Sequence, residues 1–480
     1  LSFLKERALA YGITVPLLAC SGEDGVSAAT GDLEDVVPTA NIYSRYRAPG
    51  LEERARRVRE QLERRNAPLT VTETDRNHFT LRRLLSAGAR FLGPYLQVSG
   101  HHTAYFAGQN NWGKPSTFLQ TDYDFGGMVG PDGELRDEFY EGRILAGFIE
   151  AFEPELVTTE PHLSPVTAQN AGGAETFPAA TLASPSGARF LFVPNLGDEP
   201  LHVTDPVAMT VQPHRVGVVS CGIDLASRGV PVKLVRANAE ISRLSPVDRG
   251  AIAVVAYDPG DDAAPVELIV ETPHDAVVSP VRGSVEAEAV PEGDWQAVEN
   301  RGAPSGTPAG SPPELAANSP PPPEPVAGSP SAPERTAGSS PAPAPGTPRR
   351  WRITLSPARR PHDDLAATLI QTGGARLVLL FAPRWLAGRA WRVDETALGS
   401  SGSDGTSSDA LHLGWDWVSA SGNEVRRSHS RRVYRVGTDG GVTELPAGWL
   451  ERHTQPLSLP AQAAGEYRPV QKPSPIALLR

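Results

Sequence analysis

The chain is poor in cysteine, in long apolar runs and in excess positive charge, and each shortage removes a class of protein. Its 480 residues carry two cysteines, Cys20 and Cys221. Thiols so far apart in sequence build neither a disulfide framework nor a zinc-ligand spacing, and both are expected to be buried. No apolar run is long enough to cross a bilayer. Acidic residues outnumber basic ones 56 to 45, leaving a net charge of −11. A phosphate-binding surface needs concentrated Lys and Arg, so nucleic acid is not an expected partner. Arginines do gather in Arg426–Arg435, but among Ser and Gly they read as a solvated face. No repeat of fixed period recurs along the chain.

What is present is a change of texture along the length, which leaves room for two or three domains. Residues 1–160 alternate helix and buried strand. The expected strands are Ile13–Cys20, Val36–Tyr43, Leu69–Glu73 and Thr103–Gly108. The expected helices are Leu51–Asn66, Thr80–Leu92 and Glu134–Phe152. In the first of these, Leu51, Ala55, Val58 and Leu62 share one face and Arg/Glu cover the other. The chain opens inside a further amphipathic helix (Leu1, Leu4, Ala8, Tyr11) closed by Gly12, which suggests that upstream sequence is missing. Strand–helix alternation implies a parallel sheet or β/α barrel, and about four units make half of a closed (β/α)8 TIM barrel.

Beyond that, residues 161–300 read as a β-sandwich. Its strands are Arg189–Val193, Val216–Ser220, Val232–Val235, Ala251–Tyr257 and Val266–Glu271, with the β texture starting near Phe177. Residues 301–348 are Pro-rich and read as a disordered linker or insertion. Residues 349–480 form a second β-rich region, with Arg376–Ala382 and His412–Val418 as strands and Gly399–Ser408 as a flexible loop. The fold class is therefore α/β followed by all-β.

The most informative stretch is Thr121-Asp122-Tyr123-Asp124-Phe125-Gly126-Gly127, shortly after Asn111-Trp112-Gly113. Aromatic faces stack on sugar C–H groups and carboxylates accept hydrogen bonds from hydroxyls, so such a cluster suits a polyol. A Glu closing the otherwise apolar strand Leu69–Glu73 is costly to desolvate unless it is used or paired. The plain alternative is an ion pair with Arg76, Arg82 or Arg83. His101-His102 are adjacent on a strand, so they face opposite ways and cannot chelate one metal ion together. Ser220-Cys221-Gly222 near Asp224 lacks a His at motif spacing, and a buried strand-end thiol is expected there.

In order, the chain offers Gly12-Ile13-Thr14-Val15-Pro16-Leu17, Pro68-Leu69-Thr70-Val71-Thr72-Glu73, Gly108-Gln109-Asn110-Asn111-Trp112-Gly113 and Thr121-Asp122-Tyr123-Asp124-Phe125. This order resembles the family 35 glycoside hydrolases, whose typical members are β-galactosidases. In the β region, Leu234-Val235-Arg236-Ala237-Asn238-Ala239-Glu240-Ile241 stands where that family carries a Tyr-Ser-Thr-Ala-Glu-[IV] run. The resemblance implies a retaining exo-glycosidase that removes terminal non-reducing β-galactose with Glu73 as nucleophile. It implies that Trp112 and Tyr123 line the sugar pocket, with Phe125, Tyr43 and Asn41 as further substrate contacts. A galactoside or related oligosaccharide is the implied partner, and no cofactor or metal is implied.

Three departures accompany the resemblance. The family's acid/base Glu lies in an Asn-Glu-Tyr-Gly motif that this sequence lacks, so the chain by itself is expected to be nearly inert. The aromatic-rich segment after the nucleophile is replaced by Thr74-Asp75-Arg76-Asn77-His78, and the loop's second Tyr is Phe125. The alternatives are a non-catalytic carbohydrate-binding or interaction protein and a β-glucosaminidase on the same scaffold.

Overall fold

The computed structural model describes residues 1–20, 22, 33–44, 48–102, 122–170, 173–258, 266–294, 347–355, 365–395, 409–419, 424–427 and 432–456. The expected strand Thr103–Gly108, the Trp112 turn, the loop Gly399–Ser408 and nearly all of the Pro-rich stretch lie outside these residues. No helix among the described residues is long and apolar enough to cross a membrane. Strand predominates over helix, and the chain divides into two units. One comprises Leu1–Glu153, Ile241–Tyr257 and Leu380–Arg480, the other Pro154–Glu240 and Asp258–Leu379.

The first unit begins with a four-stranded sheet of β1 (Leu17–Cys20), β2 (Val36–Asn41), β3 (Thr70–Asp75) and β4 (Phe91–Tyr95), in that order. All three pairings are parallel. Helix α1 (Ser2–Ala10) precedes the sheet, α2 (Leu51–Glu63) joins β2 to β3, and α3 (His78–Ser86) joins β3 to β4. Consecutive parallel strands need such crossovers, because a tight turn can only join antiparallel ones.

Helix α2 starts after left-handed Gly50 with Glu52 and Glu53 in its first turn, where carboxylates favour the positive end of the helix dipole. It buries the expected Leu51, Ala55, Val58 and Leu62 against Ala40, Ile42, Leu69, Val71 and Leu84. Asn77 caps α3 by accepting from the Phe79 N–H at 2.9 Å.

The expected helix Thr80–Leu92 is shorter than its apolar pattern suggested. It ends at Ser86, before Gly88 in the left-handed region at φ 96°, and Phe91–Tyr95 forms the fourth strand. A side chain on Gly93 would collide with the Thr72 carbonyl, so β3 and β4 approach closely where their register shifts. Helix α1 forms as expected but buries none of its residues. Leu1, Phe3, Leu4, Leu9, Tyr11, Ile13, Val15 and Leu18 are exposed, the last on outer strand β1.

Two short strands, β5 (Gly100–His101) and β6 (Asp122–Tyr123), pair antiparallel beyond β4. Helix α4 (Asp137–Leu156) follows, with Phe152 out of helical geometry just before Pro154. It packs so closely on strand Glu240–Asp248 that a side chain on Gly147 would collide with the Ser242 carbonyl. Its Arg143 guanidinium lies 3.1 Å from the Trp391 ring centroid and donates to the Ala390 carbonyl at 2.7 Å. The carboxyl-terminal strands of this unit enclose an apolar cluster around Val393, Trp415, Val418, Val425, Val433 and Leu450. The expected strand His412–Val418 is interrupted at Gly414, whose φ of 119° breaks it into Asp409–Leu413 and Trp417–Val418.

The second unit is antiparallel. Its largest sheet runs from Met209–Val211 through Leu201–Asp205, Glu160–Asn170, Gly173–Ala183 and Arg189–Pro194. It continues through Val216–Asp224, Lys233–Ala237, Val266–Thr272, Arg349–Leu355 and Glu286–Val290. The β texture starts earlier than Phe177, with the hairpin Glu160–Asn170 and Gly173–Ala183. Pro161, Pro165 and Pro178 hid it, since prolines weaken any strand reading. Val166, Val193, Val203, Met209 and Val211 form part of its core. A ladder of Arg236–Glu267, Arg352–Glu267 and Arg352–Glu288 ion pairs crosses four neighbouring strands.

Candidate active site at the carboxyl ends of the parallel strands

In a parallel βα sheet the carboxyl ends of the strands are where side chains converge. Here those ends carry Cys20 on β1, Asn41 on β2, Glu73 and Asp75 on β3, and Tyr95 on β4. Tyr43 follows two residues after β2. The Glu73 carboxylate takes a donor on each oxygen: the Tyr43 hydroxyl reaches Oε1 at 2.6 Å and the Asn41 Nδ2 reaches Oε2 at 3.1 Å. The Asn41 amide is oriented in turn, since its Oδ1 accepts from the Cys20 thiol at 2.9 Å and from Thr72 Oγ1 at 3.4 Å. Asn41, Tyr43 and Glu73 are all half-buried, so the carboxylate is shielded yet reachable.

The three arginines that offered an ion pair are engaged elsewhere. Arg83 grips Glu52 through two bonds of 2.5 and 2.6 Å, Arg82 donates to the Tyr257 hydroxyl at 2.9 Å, and Arg76 donates to the Gly126 carbonyl at 2.5 Å. Glu73 therefore has neutral donors and no guanidinium among the described residues. Burial pushes the Tyr43 phenol well above its usual range, and the bond to Glu73 with the charges of Glu73 and Asp75 adds to this.

Two residues of the site were not legible as site residues. Asp75 stands two places beyond Glu73 on β3, half-buried, and burial raises its carboxyl above the ordinary value while the Arg76 charge opposes the shift. Tyr95 is register-paired with Asp75, and its hydroxyl lies 2.7 Å from the Tyr123 hydroxyl. That hydrogen bond, more than burial or the nearby Tyr123 and Glu73 groups, pushes the Tyr95 phenol up to about 12. The period-two alternation from Glu73 would have found Asp75. Tyr95 was concealed by the misread helix.

The acidic-aromatic loop divides its labour. Asp124 is absorbed by the loop itself: Arg136 binds it through two bonds of 2.9 Å, Ser99 Oγ donates at 2.7 Å and the Gly126 N–H at 2.8 Å. Arg136 holds this carboxyl well below the usual carboxylate range. The polyol role expected of the loop's carboxylates therefore does not extend to Asp124. A side chain on Gly127 would meet Ser99 Oγ, so glycine is required where the loop folds back. Anchored this way, the loop presents Tyr123, with the Phe125 ring edge-on at 5.0 Å and the His102 ring edge-on at 6.3 Å. His101 bonds to Asp132 at 2.9 Å.

The cysteines separate. Cys221 lies inside strand Val216–Asp224, and burial pushes its thiol up to about 11. Cys20 is exposed, contrary to the expectation of a buried thiol, because it ends an outer strand. No protein-family model, curated protein or solved structure matches this chain.

Proposed function

We propose that the chain carries the carboxyl-side half of a (β/α)8 barrel followed by β-sandwich modules, and that its site belongs to a retaining β-galactosidase-like exo-glycosidase. The observation that carries this reading is the Glu73 carboxylate at the end of the third parallel strand, held by Tyr43 and Asn41 with no cation against it among the described residues. The exposed apolar residues of α1 and β1 support the half-barrel, since they are the surfaces that further βα units would cover.

Glu73 would attack the anomeric carbon of a terminal β-galactoside as the aglycone leaves, forming a glycosyl-enzyme that water then opens. The Tyr43 and Asn41 donors fix the direction of the carboxylate, and Tyr123 offers a phenol to a sugar hydroxyl. Protonation of the leaving group needs a second carboxyl group. Without it an unactivated substrate loses roughly two to four orders of magnitude in rate.

A dinitrophenyl β-galactoside, whose leaving group departs without a proton, isolates the nucleophile. Slow release of dinitrophenolate by the wild type and none by Glu73→Gln is the expected result. Equal release by both would overturn the assignment. The missing Asn-Glu-Tyr-Gly motif favours one other reading, a carbohydrate-binding protein without turnover. Galactoside binding without any release, even of dinitrophenolate, would select it.

A further inference from the structure

The hydroxyls of Tyr95 and Tyr123 lie 2.7 Å apart, one at the end of β4 and the other on β6. A bond of that length holds one proton between the two oxygens, so only one phenol proton of the pair is left to point elsewhere. The Tyr43 hydroxyl proton is already committed to Glu73 at 2.6 Å. Phe125 and His102 bracket the Tyr123 ring, and Asp124 fixes the loop beside it. These contacts set where the ring stands. None of them sets where its hydroxyl hydrogen points.

We propose that Tyr95 is a positioning residue of the Glu73 site, which through its bond to Tyr123 fixes the direction in which the Tyr123 hydroxyl meets a sugar hydroxyl. The inference rests on the glycosidase reading and deepens it. Two further observations support it. Tyr95 is 36 % exposed and its hydroxyl bond is open to solvent, so that bond contributes little to folding. The Glu73 charge acts on the Tyr95 phenol, which places the pair within the electrostatic reach of the carboxylate.

The test uses the full chain and a non-hydrolysable thiogalactoside, with binding measured by calorimetry for wild type, Tyr95→Phe, Tyr123→Phe and the double variant. Each single variant should bind about tenfold more weakly, with an unchanged melting temperature. The double variant should bind no more weakly than Tyr123→Phe alone, because Tyr95 acts only through Tyr123. Carbon-13 labelling of the tyrosine ring should show a phenol titrating near pH 12 that falls toward about 10 in Tyr123→Phe. If the wild type binds and Tyr95→Phe binds equally well, or if the two losses add, the positioning role is refuted while the glycosidase reading stands. If the wild type binds no thiogalactoside, both fall.

Discussion

The Tyr43 hydroxyl donates to Oε1 of Glu73 across 2.6 Å, and Glu73 in turn is among the groups that hold the Tyr43 phenol protonated. Each side of this contact reports on the other. In Glu73→Gln the carboxylate charge and the strong acceptor are gone, so the Tyr43 phenol should ionise at lower pH than in the wild type. It should still titrate above the ordinary value of about 10, because burial is the larger cause and remains. Difference absorbance of tyrosinate during an alkaline titration reads this directly. An unchanged curve would mean that the two groups are not bonded in solution.

Asp124 and Arg136 make a second prediction, about stability. The folded-state carboxyl is depressed, chiefly by Arg136, so its contribution is present above the unfolded value of about 3.9 and is lost as pH falls below it. Asp124→Asn should therefore cost about 1 kcal/mol at neutral pH, a modest figure because both side chains are partly exposed. The gap between variant and wild type should narrow when urea unfolding is repeated near pH 3. A gap that does not narrow at all as the pH is lowered would assign the loss to packing instead of charge.

Much of the first unit could be read from the sequence, and the failures have physical causes. Helix α2 was legible because an isolated amphipathic helix writes its burial in its spacing, and Leu51, Ala55, Val58 and Leu62 are the residues it buries. Helix α3 is buried along its whole length, and its apolar run merged with that of β4. That merger hid Tyr95. Glu73, Asn41 and Tyr43 were legible as strand-end polar groups. Their mutual bonds depend on the register of two strands, which local sequence does not encode. Asp124 looked like a ligand group because its partner, Arg136, lies twelve residues further on.

The cysteines provide a simple chemical check. Cys20 is exposed, whereas Cys221 is half-buried and desolvation holds its thiol in the protonated form. A disulfide reagent such as Ellman's should therefore titrate one thiol quickly in the native protein and the second much more slowly until denaturation. Cys20→Ser should abolish the fast phase. Two fast thiols would mean that strand Val216–Asp224 is not packed as described.

The buried His412 gives the clearest acid response. Its Nδ1 faces the indole N–H of Trp415 at 3.1 Å and its Nε2 faces Glu395 at 2.8 Å. An indole can only donate, so Nδ1 must accept and the proton of the neutral ring sits on Nε2. Protonating Nδ1 would set two donors against each other. Burial lowers the His412 value, so its contribution to stability is present above the unfolded value of about 6.5 and is lost as pH falls below it. Burial would raise Glu395, but the bonds from His412 and Arg435 prevail and bring it to about 2. Its contribution is lost later, between roughly pH 4 and 2. Acid should thus loosen this cluster in two stages, read as a red shift of Trp415 fluorescence in urea titrations at stepped pH. His412→Phe should remove the stage between pH 7 and 5 while lowering stability throughout by about 1–3 kcal/mol, since it leaves the buried indole N–H without its acceptor and leaves Glu395 to Arg435 alone. If the variant keeps the first stage, the proton is taken up elsewhere and His412 is not its site.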